Sequence, residues 1–255
     1  MALTLTQMSG IPIIQPGDGL GPILIQALSR HALDLQNGDI VVLAQKIVSK
    51  SENRLVNLTT VEPGPRAVQL ARIVEKDPRF IELVLRESRA VLRTRPGTII
   101  VEHNCGFICA NAGIDHSNVQ GPWGKSEDWV LLLPEQPDRS AQCIRQELET
   151  WSGARIGVLI IDSHGRAWRT GAIGMAIGLS GLPGLVDLRG VSDLFGYRLQ
   201  VTQVAAADEL AAAASLMMGQ AAEAAPAVHV RGFPFPLREG SLQELIRPEE
   251  MDMFR

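Results

Sequence analysis

Gly157-Val158-Leu159-Ile160-Ile161-Asp162-Ser163-His164-Gly165-Arg166-Ala167-Trp168-Arg169 is an unbroken run of branched aliphatics that stops abruptly in a carboxylate, a hydroxyl and two guanidiniums. The aliphatic run bounded by Gly157 reads as a buried strand, and Gly165 permits a sharp turn just after it. Asp162 and Ser163 therefore stand at a strand's end as hard oxygen donors suited to Mg2+ or Mn2+, while Arg166 and Arg169 are donors suited to a phosphate oxygen. Metal-assisted phosphoryl chemistry is one reading of this cluster. A strand, an Asx turn and a surface ion pair is the other.

Upstream, Trp129-Val130-Leu131-Leu132-Leu133 is a strand stopped by Pro134. Asp138 is a good N-cap for a helix over 139–150, with Ala141, Ile144 and Leu148 on its apolar face and Gly153 ending it. Downstream, the Gly-punctuated apolar stretch 172–181 predicts backbone that is close-packed or close to a ligand. Asp187-Leu188-Arg189-Gly190 and Asp193-Leu194-Phe195-Gly196 read as turns, and 197–204 as a strand. An Ala-rich helix over 208–218 follows, with Gly219 as its C′ residue and Gln220 at the mouth of the next turn; 227–230 is a strand.

The opening of the chain reads strand, helix, strand: Ile11-Pro12-Ile13-Ile14, a helix from about Gly21-Pro22, and Ile40-Val41-Val42-Leu43-Ala44. Lys46 and Lys50 then lie at the second strand's end, either as solvated edge lysines or as point charges for a nucleotide's phosphates. Residues 66–94 read as two helices, the second capped by Asp77 with Pro78 at its first position. Strands at 98–102 and 107–110 lead into Asp115-His116-Ser117-Asn118, four short polar residues that form either an Asx turn or a ligand set with Asp115 on a metal and Asn118 on a base or ribose. The tail from Phe233 carries one short helix near 242–246 and is expected to be peripheral or a dimer contact.

The 255 residues suffice for one large or two small domains, with a core of aliphatics because aromatics are only 4% of the chain. A net charge of −4, without a basic stripe, argues against a nucleic-acid partner. Cys105, Cys109 and Cys143 are an odd number suited to a reducing cytoplasm, and no second Cys/His pair follows at zinc-site spacing. No signal peptide or membrane span is expected. GxGxxG and GxxxxGK[ST] are both absent, so a nucleotide would bind without either Gly-rich loop.

Taken in order, Ile11-Pro12-Ile13-Ile14, Ala44-Gln45-Lys46-Ile47-Val48-Ser49-Lys50, Cys109-Ala110-Asn111-Ala112-Gly113-Ile114-Asp115-His116-Ser117-Asn118, Leu131-Leu132-Leu133-Pro134, Asp162-Ser163-His164-Gly165-Arg166, Asp187-Leu188-Arg189-Gly190 and Ala207-Asp208-Glu209-Leu210-Ala211 resemble the coenzyme F-420 gamma-glutamyl ligase family, in its stand-alone form. The resemblance implies an α+β fold of mixed sheets with flanking helices in two interlocked subdomains, with residues 1–232 as the ligase domain and 233–255 as a C-terminal tail. It implies a cytoplasmic, homodimeric, GTP-dependent ligase that adds L-glutamate to the deazaflavin coenzyme F-420-0 through an acyl phosphate, with two Mg2+ or Mn2+ ions and K+ as a further candidate. Asp115 and Asp162 would hold the first metal, and Ser163 with Gln220 the second. Ile11, Pro12, Ile13, Ile14, Gln45, Lys46, Lys50 and Asn118 would contact the nucleotide, and the turn at Met218 and Gly219 would close over it. Lys46 and Lys50 would neutralise developing charge in phosphoryl transfer. Arg166, with Arg169, is a further candidate from its chemistry alone.

Two departures flank the expected acceptor pocket. His164 stands where the family usually has a bulky aromatic, and the loop 121–129, with Trp123 and Trp129, is longer than usual. A pterin or other carboxylate-bearing acceptor is therefore an alternative to the deazaflavin. A metal-dependent phosphohydrolase and a non-catalytic nucleotide binder are the readings from other classes.

Overall fold

The computed structural model describes residues 2–253; Met1, Phe254 and Arg255, at the outer ends of the expected 1–232 and 233–255 units, lie outside the described residues. In chain order the elements are β1 (Thr4–Met8), α1 (Leu20–Arg30), β2 (Ile40–Ala44), α2 (Gln45–Ser51), β3 (Leu55–Asn57), α3 (Pro65–Val74), α4 (Pro78–Arg86), β4 (Ser88–Arg95), β5 (Thr98–His103), β6 (Ile108–Ala110) and β7 (Trp129–Leu131). There follow α5 (Pro137–Ser152), β8 (Gly157–Arg166), β9 (Arg169–Ser180), β10 (Val186–Asp187), β11 (Gln203–Val204), α6 (Ala206–Met218) and β12 (Ala227–Arg231). The class is α+β.

The main sheet has the order β1-β12-β2-β8-β9, antiparallel except for the central parallel pair of β2 and β8. Both central strands are apolar on both faces because both faces are covered. On one side Leu24 and Leu28 of α1 and Ile144 and Leu148 of α5 pack on Val41, Leu43, Val158 and Ile160. On the other, Leu210, Ala211 and Ala214 of α6 pack on Val42, Leu159 and Ile161. Each fully buried Leu or Ile contributes about 1.5–3 kcal/mol of transfer free energy. The Gly-punctuated stretch is close-packed as expected: a Cβ on Gly174 would lie 2.4 Å from the Ala211 carbonyl oxygen, and one on Gly178 would lie 2.5 Å from the Pro137 backbone.

A second core lies under the three-stranded sheet β4-β5-β6, where Phe80, Ile81 and Val84 of α4 and Ala67 and Val74 of α3 meet Ile99 and Val101. The two-stranded pair β3-β7 runs between the two regions. No helix among the described residues is long and apolar enough to cross a membrane.

Several sequence expectations are corrected. Residues 11–14 form no strand: Pro12 has no N–H to give a ladder, Ile13 is 80% exposed, and the edge position is taken by β1. Residues 45–51 are a helix and not a strand end, because Gln45, Val48 and Ser49 are buried at helical spacing. The second helix stops at Arg86, and 88–95 is a strand whose alternation is disguised by two register shifts against β5. Asp138 does not cap α5; Gln136 is the N-cap and Pro137 the first helical residue, while the Asp138 carboxylate accepts the N–H groups of Leu179 and Leu242.

β8 runs on through Gly165 to Arg166, and the hairpin turns at Ala167 and Trp168, where Trp168 has φ of 63°. Of the expected strand 197–204 only 203–204 forms a strand, with Arg198 in an isolated antiparallel bridge to Ser192. The tail is not peripheral: Leu242 is buried, Phe233, Leu237 and Leu245 pack on the α6 side of the main sheet, and Arg145 pairs with Glu239 at 2.7 Å.

Candidate functional site

Parallel strands leave a crevice beyond their carboxyl ends, and ligands collect there in open mixed sheets. β2 and β8 pair in register up to Ala44 and Ile161, so the residues that follow, Gln45 at the start of α2 and Asp162 within β8, emerge at the same end of the pair. Asp162 is thus inside β8 but past the last rung shared with β2. Successive strand residues face opposite ways, so Asp162 and Ser163 serve the two sides of the sheet.

On the first side, Asp115 is anchored through its backbone, its N–H donating to the Leu131 carbonyl at 3.0 Å and its carbonyl accepting the Leu131 N–H at 2.9 Å. Its Oδ2 accepts from Gln45 Nε2 at 2.8 Å and lies 3.2 Å from Lys46 Nζ. Gln45 is itself fixed by Ser49 Oγ, which donates to its Oε1 at 2.8 Å. Lys46 Nζ also donates to the carbonyl and hydroxyl of Ser117, at 3.0 and 2.8 Å, and Lys50 Nζ donates to the Asn118 carbonyl at 2.9 Å. Four apart on α2, both lysines present one face to the 115–118 loop.

The charges strain against each other. Burial, and then the nearby Asp162 charge, raises the Asp115 carboxyl above its usual range, against the lowering effect of Lys46 and the hydrogen bond from Gln45. Burial, and then Lys46, lowers the Lys50 ammonium. Burial also pushes the Cys109 thiol up to about 12, with the Asp162 charge adding to it, so this cysteine is an inert thiol beside the site.

On the second side, Ser163 Oγ donates to Gln220 Oε1 at 2.8 Å, and Gln220 Nε2 donates to Ser215 Oγ at 2.9 Å. Gly219, with φ of 76°, ends α6 and turns the chain so that Gln220 reaches back. Asn118, itself at φ of 56°, donates through Nδ2 to the Ala221 carbonyl at 3.0 Å and joins the two loops.

The structure thus brings together Gln45, Lys46, Lys50, Asp115 and Asn118 on one side and Ser163, Gly219 and Gln220 on the other, with Asp162 between them. It does not bring Arg166 into the cluster. Four residues beyond Asp162, or about 13 Å of strand, Arg166 closes the hairpin tip by donating to the Gly171 carbonyl at 3.0 Å. Of Ile11, Pro12, Ile13 and Ile14, only Ile14 is buried, in the same core as Ile47 and Val48 of α2, and Gly17 N–H donates to the Ser51 carbonyl at 2.9 Å. Met218 is the last residue of α6 and lies in the core, so the turn after it, and not its side chain, faces the site.

His164 is 6% exposed, shares the Asp162 face of β8, and its ring tilts against Phe107 at 5.3 Å between centroids. Phe107 stacks in turn on His103 at 5.0 Å, and burial, followed by the charges of His164 and Arg54, lowers His103 to about 4. Sequence reasoning gave no role to His103 or Ser215, and placed Ser117 only within the polar run 115–118. Ser215 carried a signal, as a hydroxyl in an Ala-rich helix shortly before Gln220.

Among the described residues no three His, Cys, Asp or Glu side chains already form a metal cage. The donors that do converge, the carboxylates of Asp115 and Asp162, the Ser163 hydroxyl and the Gln220 amide oxygen, are of the hard oxygen type that Mg2+ and Mn2+ take.

Comparison with known proteins bears on the same region. The family described as F420-0:Gamma-glutamyl ligase matches residues 10–232. The chain is 43% identical over 257 residues to the coenzyme F420:L-glutamate ligase of Methanothermobacter thermautotrophicus, covering 100% of both chains. It is 43% identical over 246 residues to that of Methanopyrus kandleri, covering 95% of this chain and 93% of the relative. With the ligase of Methanocaldococcus jannaschii it shares 39% over 245 residues, covering 96% and 94%. The chain therefore belongs to the F420-0:Gamma-glutamyl ligase family.

Proposed function

We propose that this protein is an amide-forming ligase that joins L-glutamate to coenzyme F-420-0, driven by GTP, as a cytoplasmic homodimer of the gamma-glutamyl ligase fold with two interlocked subdomains. The observation that carries the reading is the convergence of Lys46, Lys50, Asp115 and Asp162 past the ends of β2 and β8, in a chain whose relatives are named as ligases of this kind.

In this reading the acceptor's carboxylate attacks the γ-phosphate of GTP, giving an acyl phosphate and GDP. The amine of glutamate then displaces phosphate to form the amide. Phosphoryl transfer asks mainly for positioning and charge neutralisation. Lys46 and Lys50 supply fixed positive charge on one helix face, and their hydrogen bonds to Ser117 and Asn118 hold the 115–118 loop against α2. Gln45 orients Asp115, and Gln220 orients the Ser163 hydroxyl. Two divalent ions, held by Asp115 with Asp162 and by Ser163 with Gln220, would supply charge stabilisation at the transferring phosphoryl group. Arg166 enters only as a contact for a carboxylate arriving at the hairpin tip.

The dimer reading is supported by the arm between β10 and β11, where Leu194 and Phe195 are 97% and 95% exposed and Val201 is 84% exposed. Apolar side chains displayed together in this way favour burial against a second chain. Light scattering at micromolar concentration checks the mass.

Incubation with GTP, Mn2+, L-glutamate and either the deazaflavin or a pterin, followed by mass spectrometry, tests the activity. A gain of one glutamate on the deazaflavin is expected. Phosphate release without an amide product would refute the ligase reading, and glutamylation of the pterin alone would refute the acceptor.

A further inference from the structure

The last rung of the β8–β9 hairpin pairs Arg166 with Arg169. Side chains directly opposite one another on antiparallel strands stand about 4.5–5.5 Å apart at Cβ, and like charges placed so repel. Neither guanidinium meets a carboxylate among the described residues: Arg166 Nη1 donates to the Gly171 carbonyl at 3.0 Å, and Arg169 has no hydrogen bond or ion pair. The chain has 28 Asp and Glu against 24 Lys and Arg, so acidic partners are not scarce, and a repelling pair left open at a hairpin tip calls for an anion from outside. The space around it is open. A Cβ on Gly165 or on Gly171 would meet nothing within 4 Å.

The tip also lies in line with the reacting end of the site. β8 carries Asp162 past its last rung with β2 and Arg166 four residues further on, about 13 Å of strand away. In the ligase reading Lys46 and Lys50 serve the nucleotide's phosphates from α2, on the side of the 115–118 loop. Glutamate, about 5 Å from its amine to its far carboxyl carbon, stays close to the carbon it attacks. The acceptor is the substrate whose remainder has to lead away from that carbon.

We propose that Arg166 and Arg169 form a two-guanidinium clamp for a negatively charged group of the acceptor, phosphate or carboxylate, other than the carboxylate that reacts. Guanidinium forks match the oxygens of either group. The inference rests on the ligase reading, and adds to it a subsite that selects acceptors by where they carry a second charge.

The test uses the full chain. Arg169→Gln is the informative variant, because the hairpin tip is closed by Arg166 and not by Arg169. Equilibrium dialysis against coenzyme F-420-0, with and without GDP, should show its affinity reduced about 10–100-fold relative to the parent, the usual cost of one hydrogen-bonded contact to a charged group. In steady state the acceptor KM should rise by a like factor, while KM for GTP and for glutamate stays within about 2-fold. Arg93→Gln, which removes an exposed arginine of β4, should leave the affinity for the acceptor unchanged. Unchanged binding in Arg169→Gln, or an equal loss in Arg93→Gln, would overturn the inference, as would a rise confined to the KM of GTP or of glutamate. Absence of acceptor binding by the parent in both conditions would overturn it too. The ligase reading is decided separately, by amide formation in the parent, and dialysis reads the subsite whether or not an amide forms.

Discussion

Gln45 Nε2 donates to Asp115 Oδ2 at 2.8 Å across 70 residues of sequence, and this one hydrogen bond joins the end of β2 to the loop that carries the second carboxylate of the site. Gln45 is 1% exposed and has its other amide atom taken by Ser49, so it has one way to point. Gln45→Leu keeps the bulk and removes the donor. It should lower glutamate-ligation kcat by about 10–100-fold, the usual effect of losing a partner that orients a metal-binding carboxylate. Full activity in the steady-state assay would show that Asp115 does not need this bond.

Lys46 and Lys50 act as a pair on one face of α2. Removing one fixed charge from a phosphoryl-transfer site costs about 10²–10³-fold in rate, so Lys46→Met and Lys50→Met should each fall in that range for GTP-dependent turnover. Because both also hold the 115–118 loop, the double variant should lose less than the product of the single effects. Strictly multiplicative losses would argue that the two side chains work independently.

His103 is buried neutral, lowered from 6.5 to about 4. A group whose folded value lies below its unfolded one adds stability above the unfolded value and loses it as pH falls towards the folded value. Its contribution, on the order of 3 kcal/mol, should therefore be present at pH 7.5 and fade between about pH 6.5 and 4. Urea unfolding across that window should show a steeper loss for the parent than for His103→Phe; parallel curves would contradict the assignment.

Asp39 is 1% exposed, and its carboxylate meets His229 Nε2 at 2.8 Å and Arg231 at 2.7 and 2.9 Å. Burial alone would raise this carboxyl, but the hydrogen bonds from His229 and Arg231 prevail and hold it well below the usual range. The stabilisation is present at neutral pH and is lost only in strong acid. Asp39→Ala leaves Arg231 and His229 without the carboxylate that tied β12 to β2 and should destabilise the fold by about 3–5 kcal/mol. A loss of less than about 1 kcal/mol in denaturant titration, the range of an exposed pair, would show that the cluster is dispensable.

The sequence by itself determined the elements whose side chains bury on a single period: β2 and the aliphatic part of β8, the apolar faces of α1 and α5, the cap at Asp77 and the terminators Gly153 and Gly219. These are local effects, in which hydrophobic spacing and backbone preference agree within one turn or one strand. The ordered motifs also carried the family. Tertiary structure decided the rest. Residues 45–51 became a helix, and 88–95 a bulged strand, because long-range burial and register outweigh a few tenths of a kcal/mol of local propensity. Arg166 went to a hairpin tip and His164 into the interior because β8 continues past Gly165 with β9 as its partner, and period-two alternation then fixes the side each residue faces. The meeting of Gln45 with Asp115, and of Ser163 with Gln220, joins positions with no local relation in the chain, so only the packing of separate elements could bring them within hydrogen-bond distance.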